Sequence, residues 1–373
     1  MILFFELLQV AIGRRQQLSS VPSAKEWRGM MGMAEKQSLS GIAFYAVERL
    51  PKDQWPSQDV LFEWLAQSEQ IEGQNRRTTE VCKELCERFD KDGFRCCILK
   101  GQANHAYYGE ELGKHRVCGD VDIWVVPKDK SLKHPVKEVL TYLERKGLIE
   151  SLCWLHAEVK PFHHVPVEVH LRPSFFNAPI RNRRFLRLFN FDKCVCRKDI
   201  DGTELPVLET DYDVIFQLNH LYRHLIDEGV GLRQVLDYYM LLKTWHAKGG
   251  RTKDEVMKNV ERLGMKRFVH ALMYVLQVVF NAESSLLLCN PSEKDGRFLL
   301  SEIMTAGNFG HYDPRMRELE VKKGALSYQL NRTYRRFTRN LRFLTSYPEE
   351  VIWEPIARAS HVVWRMWREG NGS

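Results

Sequence analysis

At Phe94 the apolar pattern of the chain changes period, and this change constrains the fold more than any other feature. Before it, residues 1–92 carry apolar side chains at 3- and 4-residue steps, the spacing of one helix face. Helices are expected at the start, where Phe4, Leu7, Leu8 and Ala11 form a stripe, and over AEKQSLSGIAFYAVERL as one element ended by Pro51. A longer helix runs from Asp59 to Gly93. After Phe94 come short apolar runs bounded by Gly and Pro: FRCCILK, VDIWVV (stopped by Pro127), SLCWLHAEV and HVPVEVHLRP. Such runs are buried strands. KCVCRKDIDGTELPVL turns back at Asp201-Gly202, a dipeptide suited to a tight hairpin. Between 129 and 146, Val136, Val139, Leu140 and Leu143 mark a helix face that stops at Gly147. From Glu209 the helical period returns, at 211–226, 231–247, 254–263, 266–280, 296–306 and 325–345. The expected organisation is an N-terminal helical region, 1–92, a mixed α/β core, 93–208, and a C-terminal helical domain, 209–373.

A chain of 373 residues is long enough for two or three packed units. The opening run MILFFELLQVAIG is short, contains Glu6 and has no basic residue ahead of it, so it predicts an amphipathic helix, not a signal peptide or membrane span. The nine cysteines are an odd number, scattered, and form no pair of CxxC knuckles. Reduced thiols and a cytoplasmic location follow better than a disulfide framework. The net charge of +7 suits an anionic substrate without demanding nucleic acid.

The chemistry concentrates between Cys97 and Val126. Asp120 and Asp122 stand in GDVDIWVV. Residues two apart on a strand face the same way, so both carboxylates project from one side. Like charges that close repel unless a cation lies between them, and magnesium favours carboxylate and phosphate oxygens. Lys100-Gly101 ends one strand and opens a helix, a turn whose backbone N–H groups attract phosphate. Arg116 precedes the carboxylates by four residues and is a candidate partner of phosphate, or of Glu110 or Glu111. In VEVHL, Val167 and Val169 face one way while Glu168, His170 and Arg172 face the other. Glu168 would supply a third carboxylate from a neighbouring strand.

LKG, a helix, R-x-x-x-D-x-D before an apolar strand, and a later V-E-x-H strand together resemble the polymerase-β-like nucleotidyltransferase superfamily. Within it the pattern is most similar to a poorly characterised bacterial nucleotidyltransferase family with LKG, R…D-x-D and E-x-H motifs. The resemblance extends over LNHLYRHLIDEGVGLRQVLDYYMLL, with His220, Arg233 and Asp237 at the family's H…LRQ…D positions. It covers about residues 1–250. It implies a polymerase-β-like core with a mixed sheet between helical regions, an α+β arrangement. It also implies magnesium-dependent transfer of a nucleoside monophosphate from a nucleoside triphosphate such as ATP to a hydroxyl acceptor, releasing pyrophosphate. Asp120, Asp122 and Glu168 would be catalytic and hold two Mg2+ ions, with Mn2+ as an alternative. Lys100, Gly101, Gln102 and Arg116 would bind nucleotide phosphates. His170, His220, Arg233 and Asp237 would face the substrate. Better-known members carry Gly-Ser ahead of the carboxylates, where this chain has Gly101-Gln102. The acceptor, whether small molecule, protein or nucleic acid, is not legible.

His156, His163, His164 and His170 lie close in sequence, but none forms HExxH, and His163-His164 would point to opposite faces of a strand. A zinc site is therefore not the expectation, and His170 is expected to orient Glu168 or touch substrate. Near the C-terminus Arg332, Arg335, Arg336, Arg339 and Arg342 share 3- and 4-residue steps without an acid among them. Tyr334, Phe337, Leu341 and Leu344 form another stripe. The basic face is a candidate for an acidic partner, with a merely solvated face as the plainer alternative. A rival to the enzyme is a non-catalytic nucleotide-binding or interaction protein that retains the fold. Such a chain has no reason to keep three mutually repelling carboxylates.

Overall fold

The structure is a computed structural model that describes residues 1–317 and 325–370, with the side chains of 316–317, 325–333, 335 and 365–370 outside that description. The N-terminal helices are α1 (Ile2–Ala11), α2 (Ala24–Lys36), α3 (Ser40–Arg49) and the long α4 (Gln58–Lys91). The stretch expected as one helix before Pro51 is two. Ser38 adopts a left-handed φ of 54° between α2 and α3. A non-glycine residue in that region cannot continue a helix. A capping box at Ser23 and Glu26 starts α2.

The central sheet has seven strands in the order β3-β4-β5-β2-β1-β7-β6. These are β1 (Phe94–Ile98), β2 (Val121–Pro127), β3 (Ile149–Leu152), β4 (His156–Phe162), β5 (Val165–His170), β6 (Val195–Ile200) and β7 (Thr203–Leu208). SLCWLHAEV, expected as one strand, splits across β3 and β4. The expected hairpin is present, with β6 and β7 antiparallel and joined at Asp201-Gly202, both at positive φ. β2 runs antiparallel to β1 and parallel to β5, so the sheet is mixed, as the sequence predicts. Short turns α5 (His105–Tyr108) and α6 (Glu110–Gly113) follow β1, and α7 (Pro135–Arg145) follows β2 with Pro135 in its first turn. α8 (Pro179–Leu188) and α9 (Phe191–Cys194) lie between β5 and β6.

The remaining helices are α10 (Thr210–Asp227), α11 (Leu232–Lys248), α12 (Lys253–Arg262), α13 (Lys266–Phe280), α14 (Glu293–Ala306), α15 (Pro314–Arg317), α16 (Ala325–Leu344) and α17 (Pro348–Gly370). The three sequence segments build two cores. One face of the sheet, with Ile98, Val121, Ile123, Val125, Val167 and Val169, packs on α7 and the second half of α4. The opposite face, with Cys97, Leu99 and Trp124, joins a core shared by the N-terminal helices and the helices after Leu208. Gln9 ties that core together by donating to the Val279 carbonyl at 3.0 Å. No described helix is long and apolar enough to cross a membrane. All nine cysteines are free thiols.

The basic face expected on α16 is corrected in part. Arg332 and Arg335 lie outside the described side chains. Arg339 is buried and donates to the Leu225 and Glu228 carbonyls at 2.7 and 2.6 Å. Carbonyls at a helix C-terminus lack helical partners, and a guanidinium satisfies two at once. Arg342 is half-buried, 3.9 Å from Asp313. Among the described side chains of α16, Tyr334, Phe337, Leu341 and Leu344 are exposed.

Candidate active site

The site forms where the second face of the sheet meets α10 and α11. β2 and β5 pair in parallel with Asp122 opposite Glu168, and β4 and β5 pair with His156 opposite His170. Side chains at paired positions share a face, so four polar groups converge on one spot. Ligand atoms of Asp120, Asp122 and Glu168 all lie within 4.8 Å of one another. Asp122 is 1% exposed, whereas Asp120 and Glu168 are half-buried. Gly101 opens the turn after β1 at φ +59°, and a Cβ there would stand 3.4 Å from the Asp120 carbonyl. A side chain at this left-handed position would be strained.

Asp122 and Glu168 each have a cationic or imidazole neighbour. Lys100 Nζ lies 3.1 Å from Asp122 Oδ2. Burial works against the Lys100 charge, but Asp122, Asp120 and Glu168 outweigh it and raise its pKa. His170 Nε2 stands 2.9 Å from Asp122 Oδ1 and 3.4 Å from Glu168 Oε2. Burial pulls the His170 pKa down, and hydrogen bonds to Asp122 and Glu168 more than reverse it. Burial pushes the Glu168 carboxyl up, yet the His170 hydrogen bond, with His156 and Lys100 nearby, draws it down to about 2. His156 Nδ1 is 3.4 Å from Glu168 Oε2. The Nδ1 atoms of His156 and His170 are both buried without a hydrogen-bond partner.

Opposite stand Gln217, His220, Leu221, Arg233, Gln234 and Phe309, lining one pocket with Lys100, Gly101, Asp120 and Asp122. Arg233 is 8% exposed and donates to the Val117 carbonyl at 2.7 Å, while its Nε has no partner. Gln234 Nε2 is likewise unpartnered. Burial pushes His220 well below its usual pKa, so it is a neutral imidazole near pH 7.

Two expected phosphate ligands are engaged elsewhere. Arg116 forms a buried bidentate pair with Asp237, at 2.6 and 2.7 Å, instead of meeting Glu110 or Glu111. Tyr108 Oη adds a third bond to Asp237 at 2.8 Å. The pair locks the loop before β2 onto α11, so both groups border the pocket with their charges satisfied. Gln102 turns away: its amide donates to Thr79 Oγ1 at 2.6 Å, beneath the sheet. The 3-10 turn over Gly101–Asn104 carries it there. His163 and His164 sit on an exposed turn at positive φ, where His163 meets Glu84 at 3.0 Å, away from the site.

The sequence reading did not single out Asn104, Gln217, Gln234 or Phe309. The first two form a hydrogen-bonded floor, with Gln217 Nε2 2.7 Å from Asn104 Oδ1 and 2.9 Å from Asp213 Oδ2. Gln217 stands just before LNHL and Asn104 just after LKG, and neither position carries a chemical signature. Phe309 belongs to a glycine-flanked loop that only the tertiary fold brings near Arg233.

The sequence model of a family described as "Uncharacterised nucleotidyltransferase" matches residues 23–281. No curated protein matches the chain. A crystal structure of an antigenic nucleotidyltransferase-like protein from Paracoccidioides brasiliensis aligns at 14% identity and a TM-score of 0.37, covering 62% of this chain and 98% of that one.

Proposed function

The chain belongs to the uncharacterised nucleotidyltransferase family, and from that premise we propose that it transfers a nucleoside monophosphate from a nucleoside triphosphate to a hydroxyl acceptor, with Mg2+ at Asp120, Asp122 and Glu168. The observation that carries this reading is the convergence of three carboxylates within 4.8 Å at the mouth of a pocket whose far wall presents unpartnered donors. The donor set fits the ion: carboxylate oxygens from two neighbouring strands, with ligand atoms within 4.8 Å of one another. When bound, Mg2+ would supply charge neutralisation for the attacking and leaving oxygens of an in-line displacement.

The rest falls to the chain's own residues. Lys100, now on Asp122, has a charge that nucleotide phosphate can share. Arg233 takes the phosphate-facing role expected of Arg116, because it lines the pocket and its Nε has no hydrogen-bond partner. Neutral His220 accepts or donates a hydrogen bond without adding charge. The Arg116–Asp237 pair fixes the two walls at one separation, and fixed donors stabilise developing charge without reorganising.

The test is incubation of the full chain with each labelled nucleoside triphosphate, magnesium and a cell extract. Label transferred to an acceptor, with pyrophosphate released, is the expected result and identifies donor and acceptor class together. Metal-dependent nucleotide binding with no transfer from any triphosphate would favour the non-catalytic alternative.

A further inference from the structure

We propose that His156, His170 and Glu168, with Asp122, form a second, nitrogen-bearing metal position that takes a borderline transition-metal ion such as Zn2+ or Mn2+, beside the all-oxygen position at Asp120 and Asp122. The inference deepens the nucleotidyl-transfer reading and rests on it for the neighbouring Mg2+. It reverses the expectation that the histidines of this region would not hold a metal.

The geometry begins with the strands. His156 and His170 occupy paired positions on β4 and β5, and Glu168 lies two residues before His170 on the same face. Their ligand atoms fall within 4.8 Å of one another. Both imidazoles direct a nitrogen at one carboxylate oxygen: His156 Nδ1 and His170 Nε2 are each 3.4 Å from Glu168 Oε2. Asp122 Oδ1 is 2.9 Å from the same His170 nitrogen. Ligands about 2.0–2.2 Å from one ion stand about 3.0–3.5 Å apart, depending on coordination number. The observed separations lie at or close to that range.

Hydrogen bonding accounts for these positions less well. A buried imidazole ordinarily spends both nitrogens on partners. Here His156 Nδ1 is buried, points at Glu168 and makes no hydrogen bond. The shortest contact in the cluster is His170 to Asp122, at 2.9 Å. An ion between the four atoms would satisfy all of them at once.

Ligand chemistry sets the class of ion. Imidazole suits zinc, manganese and related dications, whereas carboxylates with phosphate suit magnesium. Glu168 and Asp122 belong to both ligand sets, so the two ions would be bridged, and paired catalytic metals stand about 3.5–4 Å apart. The centre would thus be mixed, with the nitrogen-ligated ion on the β4–β5 side.

The experiment uses the full chain stripped of metal and titrated with Co2+ alone, a spectroscopic stand-in for Zn2+, followed by its visible absorption. Wild type should develop a band at one equivalent. H156A should weaken Co2+ binding at least about tenfold, and thermal melting verifies that the variant folds. D120N should keep the cobalt band, since Asp120 is outside the nitrogen set. A wild type that binds no Co2+, or an H156A variant that binds it as wild type does, overturns the proposal. Magnesium-dependent nucleotide binding, measured separately on D120N, reports on the nucleotidyl-transfer reading, so the two can fail independently.

Discussion

The two walls of the pocket are built on opposite electrostatic plans. On the strand wall, anionic groups crowd together and already have neighbours: Asp122 with Lys100 and His170, Glu168 with His170 and His156. On the helical wall, donors are buried with capacity to spare: Arg233 Nε and Gln234 Nε2. A wall of mutually repelling carboxylates is made to hold cations, and a wall of unspent donors is made to meet an anion. Between them runs Arg116–Asp237, which spends its charge on holding the walls together.

The comparison breaks first at Asp122. Asp122→Asn removes the carboxylate that pairs with both Lys100 and His170, and magnesium-dependent nucleotide binding should fall below detection by calorimetry. Unchanged affinity would mean that the strand wall does not hold the metal. Next comes the strut. Arg116→Met strands a buried Asp237 carboxylate and should cost about 3–5 kcal/mol in urea unfolding. A double change of Arg116→Met with Asp237→Leu should recover most of that loss, because a buried pair replaced by apolar groups is often near neutral. If the double variant is no more stable than the single, the pair does more than join the walls.

A pH titration sharpens the picture behind the strand wall. His105 Nδ1 lies 3.0 Å from Asp201 and its Nε2 lies 3.4 Å from Cys118 Sγ. Burial pulls its pKa down, but Cys118 and Asp201 prevail and raise it from 6.5 to about 9. A raised folded-state pKa contributes stability that is complete below the unfolded value and disappears as pH rises through the folded one. The His105 contribution should therefore decline between pH 6.5 and about 9, opposed in part by Cys118, whose buried thiol the same contact holds below its usual range, so the slope stays below about 1.4 kcal/mol per pH unit. His105→Asn should flatten that slope in a series of thermal melts. The smallest effect belongs to the helical wall. Arg233→Met should weaken nucleotide binding by about tenfold to a hundredfold, the worth of a charged hydrogen bond of about 1.5–3 kcal/mol. Its melting temperature should move much less than that of the Arg116 variant. Wild-type affinity in this variant would remove the helical wall from nucleotide recognition.

Local chemistry made much of the strand wall legible in the sequence. Period-2 alternation placed Glu168 and His170 on the face opposite Val167 and Val169, and the structure pairs Asp122 with Glu168. The Asp201-Gly202 hairpin followed from φ preferences alone. What was not legible depends on partners distant in the chain. Arg116 meets an acid 121 residues away, on a helix whose approach no local spacing encodes. His156 reaches His170 only through antiparallel strand pairing around an exposed turn, so sequence proximity pointed equally to His163 and His164. Gln102 is turned aside by a 3-10 turn too short to leave a periodic signature. The arginines of α16 looked solvent-facing because the carbonyls that bury Arg339 belong to the end of α10.

The central claim is that the strand wall holds the metal through which nucleotide binds. Titrating a nucleoside triphosphate into the wild-type chain and Asp120→Asn, each with and without Mg2+, tests it most directly, because Asp120 is half-buried and its substitution leaves both cores intact. Binding by wild type only with Mg2+, lost in Asp120→Asn at an unchanged melting temperature, is the predicted result. Equal magnesium-dependent affinity in both proteins would contradict it.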